Sequence, residues 1–124
     1  NKRMLSSMTP TILVKDGKLK MVVGTPGGST IITSVFQTIV NVLDFKMSGS
    51  DAVQAPRFHH QWLPDVIQCE EEAISSKERK ILESIGHTFK NRAPIGRVEA
   101  IVINEKGLLE GAADHRGDDD VKGF

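Results

Sequence analysis

The chain has 124 residues, enough for one ordinary domain or a large piece of one. At 39% hydrophobic and 26% charged, with 16 Lys+Arg against 16 Asp+Glu, its composition is globular and its net charge zero, which removes the electrostatic case for a nucleic-acid or anionic-membrane partner. The single cysteine, Cys69, excludes an internal disulfide framework and a multi-cysteine zinc site; there is no run of 18 apolar residues to span a membrane, and five phenylalanines, one tryptophan and no tyrosine offer little for stacking bases. The first residue is Asn1 and no leader is visible, so the chain is expected to be a fragment or a processed subunit.

Thr11 to Lys15 and Lys18 to Val23 flank Asp16-Gly17. An Asp-Gly pair between two apolar runs predicts a β-hairpin, because both central residues of a type I′ turn need positive φ. Gly24-Thr25-Pro26-Gly27-Gly28-Ser29 then interrupts regular structure. From Thr30 to Phe45 the apolar residues fall at helical spacing, with a narrow polar stripe through 30, 34, 37, 38 and 41. This predicts a buried helix capped by Ser29 or Thr30.

Ser50 to Ala55 reads as a second, short helix stopped by Pro56, and Arg57 to Pro64 as irregular. Val66 to Glu70 suits a short strand. Ser75 to Ile85 is a capped amphipathic helix with Gly86 as its stop, and His87 to Asn91 suits another strand. Val98 to Ile103 and Leu108 to Ala112 flank a second hairpin turn, Asn104 to Gly107. The tail from Asp114 reads as polar and irregular. Strand pairs followed by packed helices make an α+β domain whose sheet is expected to extend into sequence outside this chain.

Chemistry is best placed at Gly27-Gly28. Two glycines let backbone approach a ligand closely, and a helix start presents unpaired N–H groups with a partial positive charge. Such a place suits a carboxylate, a phosphate or a developing oxyanion; equally, it is a tight strand-to-helix turn. The spacing matches neither a P-loop nor G-x-G-x-x-G. The paired hydroxyls of Ser6-Ser7 can donate to a carboxylate or serve as turn residues. Adjacent His59 and His60 project to opposite sides of an extended chain, which favours hydrogen bonding over a shared metal. Asp118-Asp119-Asp120 lacks the spacing of a calcium loop and reads as a solvated acidic tail. No segment supplies a nucleophile with its base.

Three ordered motifs carry a resemblance: Leu5-Ser6-Ser7-Met8-Thr9-Pro10-Thr11, Gly24-Thr25-Pro26-Gly27-Gly28-Ser29, and Ala55-Pro56-Arg57-Phe58-His59-His60-Gln61-Trp62-Leu63-Pro64. Together with Gly111-Ala112-Ala113-Asp114-His115-Arg116, where the family usually has proline in place of His115, they resemble the γ-glutamyltransferases, or glutathione hydrolases, from Lys2 to Phe124. The resemblance implies part of an αββα N-terminal-nucleophile hydrolase sandwich. It implies an enzyme that cleaves itself into large and small subunits and uses the new N-terminal threonine to move a γ-glutamyl group from glutathione to water or to an amino-acid or peptide amine.

Residues 1–124 then form the C-terminal portion of the small subunit, incomplete without upstream sequence that holds the threonine. Ser6 and Ser7 match the serine pair that holds the substrate α-carboxylate. Gly27 and Gly28 match the glycines whose N–H groups form the oxyanion hole. The implied partners are the large subunit, the upstream part of the small subunit, γ-glutamyl compounds and amine acceptors. No metal, cofactor or nucleic acid is implied, and the compartment by resemblance is periplasmic, secreted or cell-surface. Two rival readings are a non-catalytic binding or subunit-docking domain, and a related amide hydrolase such as a β-lactam acylase.

Overall fold

The computed structural model describes residues 2 and 8–123. Strands β1 (Thr11–Lys15) and β2 (Lys18–Gly24) form the expected hairpin, with Asp16 and Gly17 both at positive φ (52° and 73°). Their register shifts between Leu13 and Val14, a bulge in an otherwise regular antiparallel ladder. β2 continues onto β6 (Glu99–Ile103), which pairs with β7 (Leu109–Ala112), so the sheet order is β1-β2-β6-β7 and every pairing is antiparallel.

Alternation along these strands sends Met21, Val23, Ala100, Val102 and Ala112 to one face, where they meet Val35 and Val42 of α1 (Ile31–Leu43) and Ala52 and Val53 of α2 (Gly49–Gln54). This is the core. The opposite face is also apolar: Ile12, Val22 and Ile101 lie in register across three strands, and Ile12 and Ile101 are exposed. A sheet with two apolar faces is built to be covered on both.

The remaining elements make a second sheet, β3-β4-β5. β3 (Phe58–His59), within the stretch read as irregular, pairs antiparallel with β4 (Ile67–Cys69). β4 pairs in parallel with β5 (Phe89–Asn91), and α3 (Ser76–Ser84) is the crossover between them. α3 begins with the capping box its sequence predicts: Ser75 Oγ accepts from the Glu78 N–H, and the Glu78 carboxylate accepts from the Ser75 N–H at 3.0 Å. Gly86, at φ 104°, follows it.

The predicted helix buries its small hydroxyl residues: Thr30, Ser34 and Thr38 are buried, while Ile32 and Phe36 are exposed. The reason is size. The loop before β6 comes so close that a Cβ on Gly96 would lie 2.6 Å from Ser34 Oγ, and only a small side chain fits there. Thr38 satisfies its own hydroxyl by donating back to the Ser34 carbonyl at 3.0 Å.

The tail from Asp114 is polar and irregular as expected, with 120–123 exposed, but Asp114 and Arg116 at its start turn inward. Asp114 is 1% exposed and Arg57 is 1% exposed, and Arg57 Nη1 donates to Asp114 Oδ2 at 2.7 Å. Arg116 binds Glu70 through Nε at 2.7 Å and Asp114 through Nη1 at 2.9 Å. Glu70 also accepts from the N–H groups of Arg57 (2.8 Å) and Ile95 (2.7 Å), and Asp114 from that of Val98 (2.8 Å). Two cations and two anions thus neutralise one another out of water.

Burial pushes the Asp114 carboxyl up, but the Val98 N–H and the Arg57 charge outweigh it and hold it below the usual carboxylate range. Burial likewise raises Glu70, and Arg116 with the Ile95 and Arg57 N–H groups brings it below its ordinary value. Both groups therefore bind fewer protons folded than unfolded. Their contribution is complete above the unfolded value of about 4 and disappears as pH falls through the depressed folded value. Asp114→Asn strips a buried pair of its anion and is expected to cost about 3–5 kcal/mol near neutral pH. Denaturant unfolding of the complete protein at stepped pH should show that gap between wild type and variant constant at neutral pH and narrowing below about pH 4; a gap undiminished in acid would show that the Asp114 charge is not its source.

Candidate active site

The stretch Gly24-Thr25-Pro26-Gly27-Gly28-Ser29 joins the end of β2 to α1, as expected, through one 3₁₀ turn over Gly28–Thr30. Gly27 and Gly28 both hold positive φ, 142° and 61°, which L side chains rarely adopt. At Gly27 space is short as well: a Cβ would stand 2.8 Å from Thr30 Oγ1 and 3.5 Å from the Gly96 Cα. At Gly28 nothing lies within 4 Å of that position. Both glycines are exposed. Among the described residues the Gly28 N–H has no hydrogen-bond acceptor.

Beneath the exposed glycines the turn is tightly held. Thr25 is fully buried; its N–H donates to the Met8 carbonyl at 2.9 Å, and its hydroxyl donates to the Pro26 carbonyl at 2.7 Å while accepting from the Arg97 N–H at 2.8 Å. Thr30 stands at the N-cap of α1, but its hydroxyl does not cap the helix as its sequence position suggests. It donates backwards to the Gly27 carbonyl at 2.9 Å, beside the Thr30 N–H on the same oxygen at 3.3 Å.

Ser6 and Ser7, the other candidate residues, lie outside the described residues. Their sequence neighbour Met8 is the residue hooked by Thr25. Thr25 and Arg97 were not singled out in the sequence, and Thr30 only as a cap for α1. Their signal is only that Thr25 and Thr30 bracket the glycines; the Arg97 contact joins residues 72 positions apart and has no local signature.

Arg97 turns its side chain to the acidic tail, bonding Asp118 at 2.6 Å and Asp119 through two nitrogens. Asp118 and Asp119 therefore act as ion-pair partners rather than as a free acidic end. The Glu99 carboxyl beside them is pushed up to about 7 by burial and by the neighbouring Asp119. The two histidines part as expected. His59 is buried between Thr33 Oγ1 (2.8 Å) and Gln61 Oε1 (2.9 Å), whereas His60 faces Asp65 at 3.0 Å. Among the described residues no group of three His, Cys, Asp or Glu side chains is placed to hold a metal. Cys69 is a buried thiol. An apolar hollow of about 510 Å³ lies between α3 and the second sheet, lined by Phe58, Ile67, Ile74, Ile81 and Leu82. Its one charged residue, Glu78, is committed to the helix cap.

Among the described residues the site thus offers backbone donors on an exposed turn braced from below, and no nucleophile paired with a base. Donors of this kind suit an anion or a developing oxyanion.

Comparison with known proteins agrees with the geometry. The sequence model of the family described as Gamma-glutamyltranspeptidase matches residues 1–124. The glutathione hydrolase proenzyme of Escherichia coli (strain K12) is 47% identical over 121 residues, 98% of this chain and 21% of that protein. The acylase ACY 1 proenzyme of Pseudomonas sp. (strain V22) is 38% identical over 118 residues, 94% of this chain and 21% of that protein. Among solved structures, a mutant of Helicobacter pylori gamma-glutamyltranspeptidase superposes with a TM-score of 0.86 at 45% identity, covering 94% of this chain and 64% of that one. This chain therefore spans about a fifth of the length of the curated relatives it matches. Its α+β elements are part of an N-terminal-nucleophile hydrolase sandwich. A match of the family's sequence model along the whole chain, with the glycine turn and the fold in agreement, places the chain in the gamma-glutamyltranspeptidase family.

Proposed function

We propose that residues 1–124 are the C-terminal portion of the small subunit of a γ-glutamyl hydrolase/transferase, and that they hold substrate and stabilise the reaction's oxyanion. The observation that carries this reading is the Gly27-Gly28 turn. It is exposed, left-handed at both residues and braced from below, and its Gly28 N–H has no acceptor among the described residues.

The chemistry follows from what the chain has and what it needs. A threonine at a self-cleavage junction upstream attacks the γ-carbonyl, its own α-amine taking the hydroxyl proton. The carbonyl oxygen becomes an anion, which the Gly27 and Gly28 N–H groups receive. The C–N bond breaks, the amine leaves with the proton, and a threonyl ester remains. Water or an acceptor amine then attacks the ester through a second oxyanion at the same place. Ser6 and Ser7 hold the α-carboxylate, and the Thr25–Met8 hydrogen bond anchors the residue that follows them in the sequence. The large subunit and the missing part of the small subunit supply the nucleophile and the cover for the apolar sheet face at Ile12, Val22 and Ile101.

A second reading keeps the mechanism and changes the acyl group; the acylase relative favours it. The serines distinguish the two, because a free α-carboxylate is what they would bind.

The complete protein is expected to release the chromophore from a γ-glutamyl anilide, and residues 1–124 alone are expected to release none. A folded, self-cleaved protein with no such activity overturns the γ-glutamyl reading and leaves an amide hydrolase of other specificity. Ser6→Ala and Ser7→Ala should each lower kcat/KM for the anilide roughly tenfold or more, mainly through KM, since each removes a hydrogen bond to a charged group. Unchanged kinetics in both would remove the serines from the carboxylate site.

A further inference from the structure

Resting on the oxyanion reading of Gly28, we propose that Thr30 is the positioning residue that aims the Gly28 N–H. The argument is one of peptide geometry. The Gly27–Gly28 bond is not among the cis bonds, and in a trans peptide the carbonyl and the following N–H point in opposite directions. The Gly27 carbonyl is fixed by the Thr30 hydroxyl at 2.9 Å and the Thr30 N–H at 3.3 Å, and Thr30 is 1% exposed. With the carbonyl tied to the buried side, the Gly28 N–H is turned the opposite way; the residue is exposed, and among the described residues that N–H has no acceptor.

Such a tether is needed because glycine does not supply it. Two glycines in succession leave the intervening peptide plane free to rotate, and a donor that must rotate into place stabilises a transition state poorly. The hydroxyl restores what the glycines give up. It also explains why Thr30 spends its side chain on Gly27 rather than on capping α1.

The test uses the complete, processed protein and a γ-glutamyl anilide. A proline at position 28 deletes the N–H, but proline is locked near φ −65° and the residue sits at 61°, so that variant changes the backbone as well. Thr30→Val and Thr30→Ala instead remove the hydroxyl and keep every N–H. Turnover is counted per active site from the acyl-enzyme burst, so that a misfolded fraction does not register as a lower rate.

Both variants are expected to lose roughly tenfold to a hundredfold in kcat, less than the roughly hundredfold to thousandfold that complete loss of one oxyanion donor costs. Acylation and deacylation should slow together, because both pass through the oxyanion, while KM changes little. Thr30→Ser, which keeps the hydroxyl, should return kcat to near the wild-type value. A hydroxyl-free variant with wild-type kcat overturns the proposal. So does a loss that Thr30→Ser fails to restore, since that identifies a packing role for the methyl group. A wild-type protein that releases no anilide overturns the functional reading, and this role with it; an active wild type with an indifferent Thr30→Val overturns the role of Thr30 alone.

Discussion

Four charges closed off from water hold this structure together. Arg57, Glu70 and the Asp114–Arg116 turn come from three separate places in the chain, and the charges pair across them. A buried charge without a partner costs several kcal/mol, so no member can be satisfied until the end of α2, the end of β4 and the tail have converged. Their remaining valences reach the backbone. Arg57 takes the Ile95 carbonyl at 2.9 Å, Glu70 the Ile95 N–H, and Asp114 the Val98 N–H. The loop before β6 is thereby fixed at both ends. That loop carries Gly96 against Gly27 and the Arg97 N–H against Thr25. The support beneath the glycine turn is thus traceable, bond by bond, to an ion cluster that contains none of the residues proposed to meet substrate.

The division between what could be read in the sequence and what could not follows the range of the interactions. The Asp16-Gly17 turn, the Ser75 capping box and the Gly86 stop are decided within four residues, and all lie where their chemistry puts them. The glycine turn was legible for the same reason. The burial of Asp114 was not, because Asp114 and Arg57 are 57 positions apart and look like ordinary surface charges in isolation. Which face of α1 turns inward was not legible either, for a subtler reason. A polar stripe normally means water, but every polar residue in 30–43 is uncharged, and its buried members are the small hydroxyl residues Thr30, Ser34 and Thr38. A stripe of small hydroxyls without a single charge is a surface for close backbone approach as much as for solvent, and here Gly96 takes that place.

Exposed apolar surface tells the other half of the story. Ile32 and Phe36 on α1, and Ile12 and Ile101 on the far sheet face, are open among the described residues. Contiguous apolar surface of this kind marks a place where something else packs. The chain spans about a fifth of the length of its relatives, and uncovered faces are what a piece cut from a layered sandwich leaves behind. The open faces therefore belong to the same account as the missing nucleophile: both are interior parts of a larger body.

Thr25 joins the two ends of the proposed site. Its N–H holds Met8, next to the serines, and its hydroxyl both donates to Pro26 and accepts from Arg97 at the base of the glycine turn. In the proposed reaction the substrate is a ruler, since a short aliphatic chain separates its α-carboxylate from its γ-carbonyl. A receptor for one and a donor set for the other help together only when their separation matches that length; otherwise one is satisfied at the expense of the other. A flexible connection would leave the separation to chance and make each substrate freeze it anew. A buried residue with its N–H and hydroxyl all committed removes that freedom beforehand. In the proposed reaction, preference for a γ-acyl group over an α- or β-acyl group then draws on the Thr25 anchor between Met8 and the glycine turn as well as on the groups that touch the substrate.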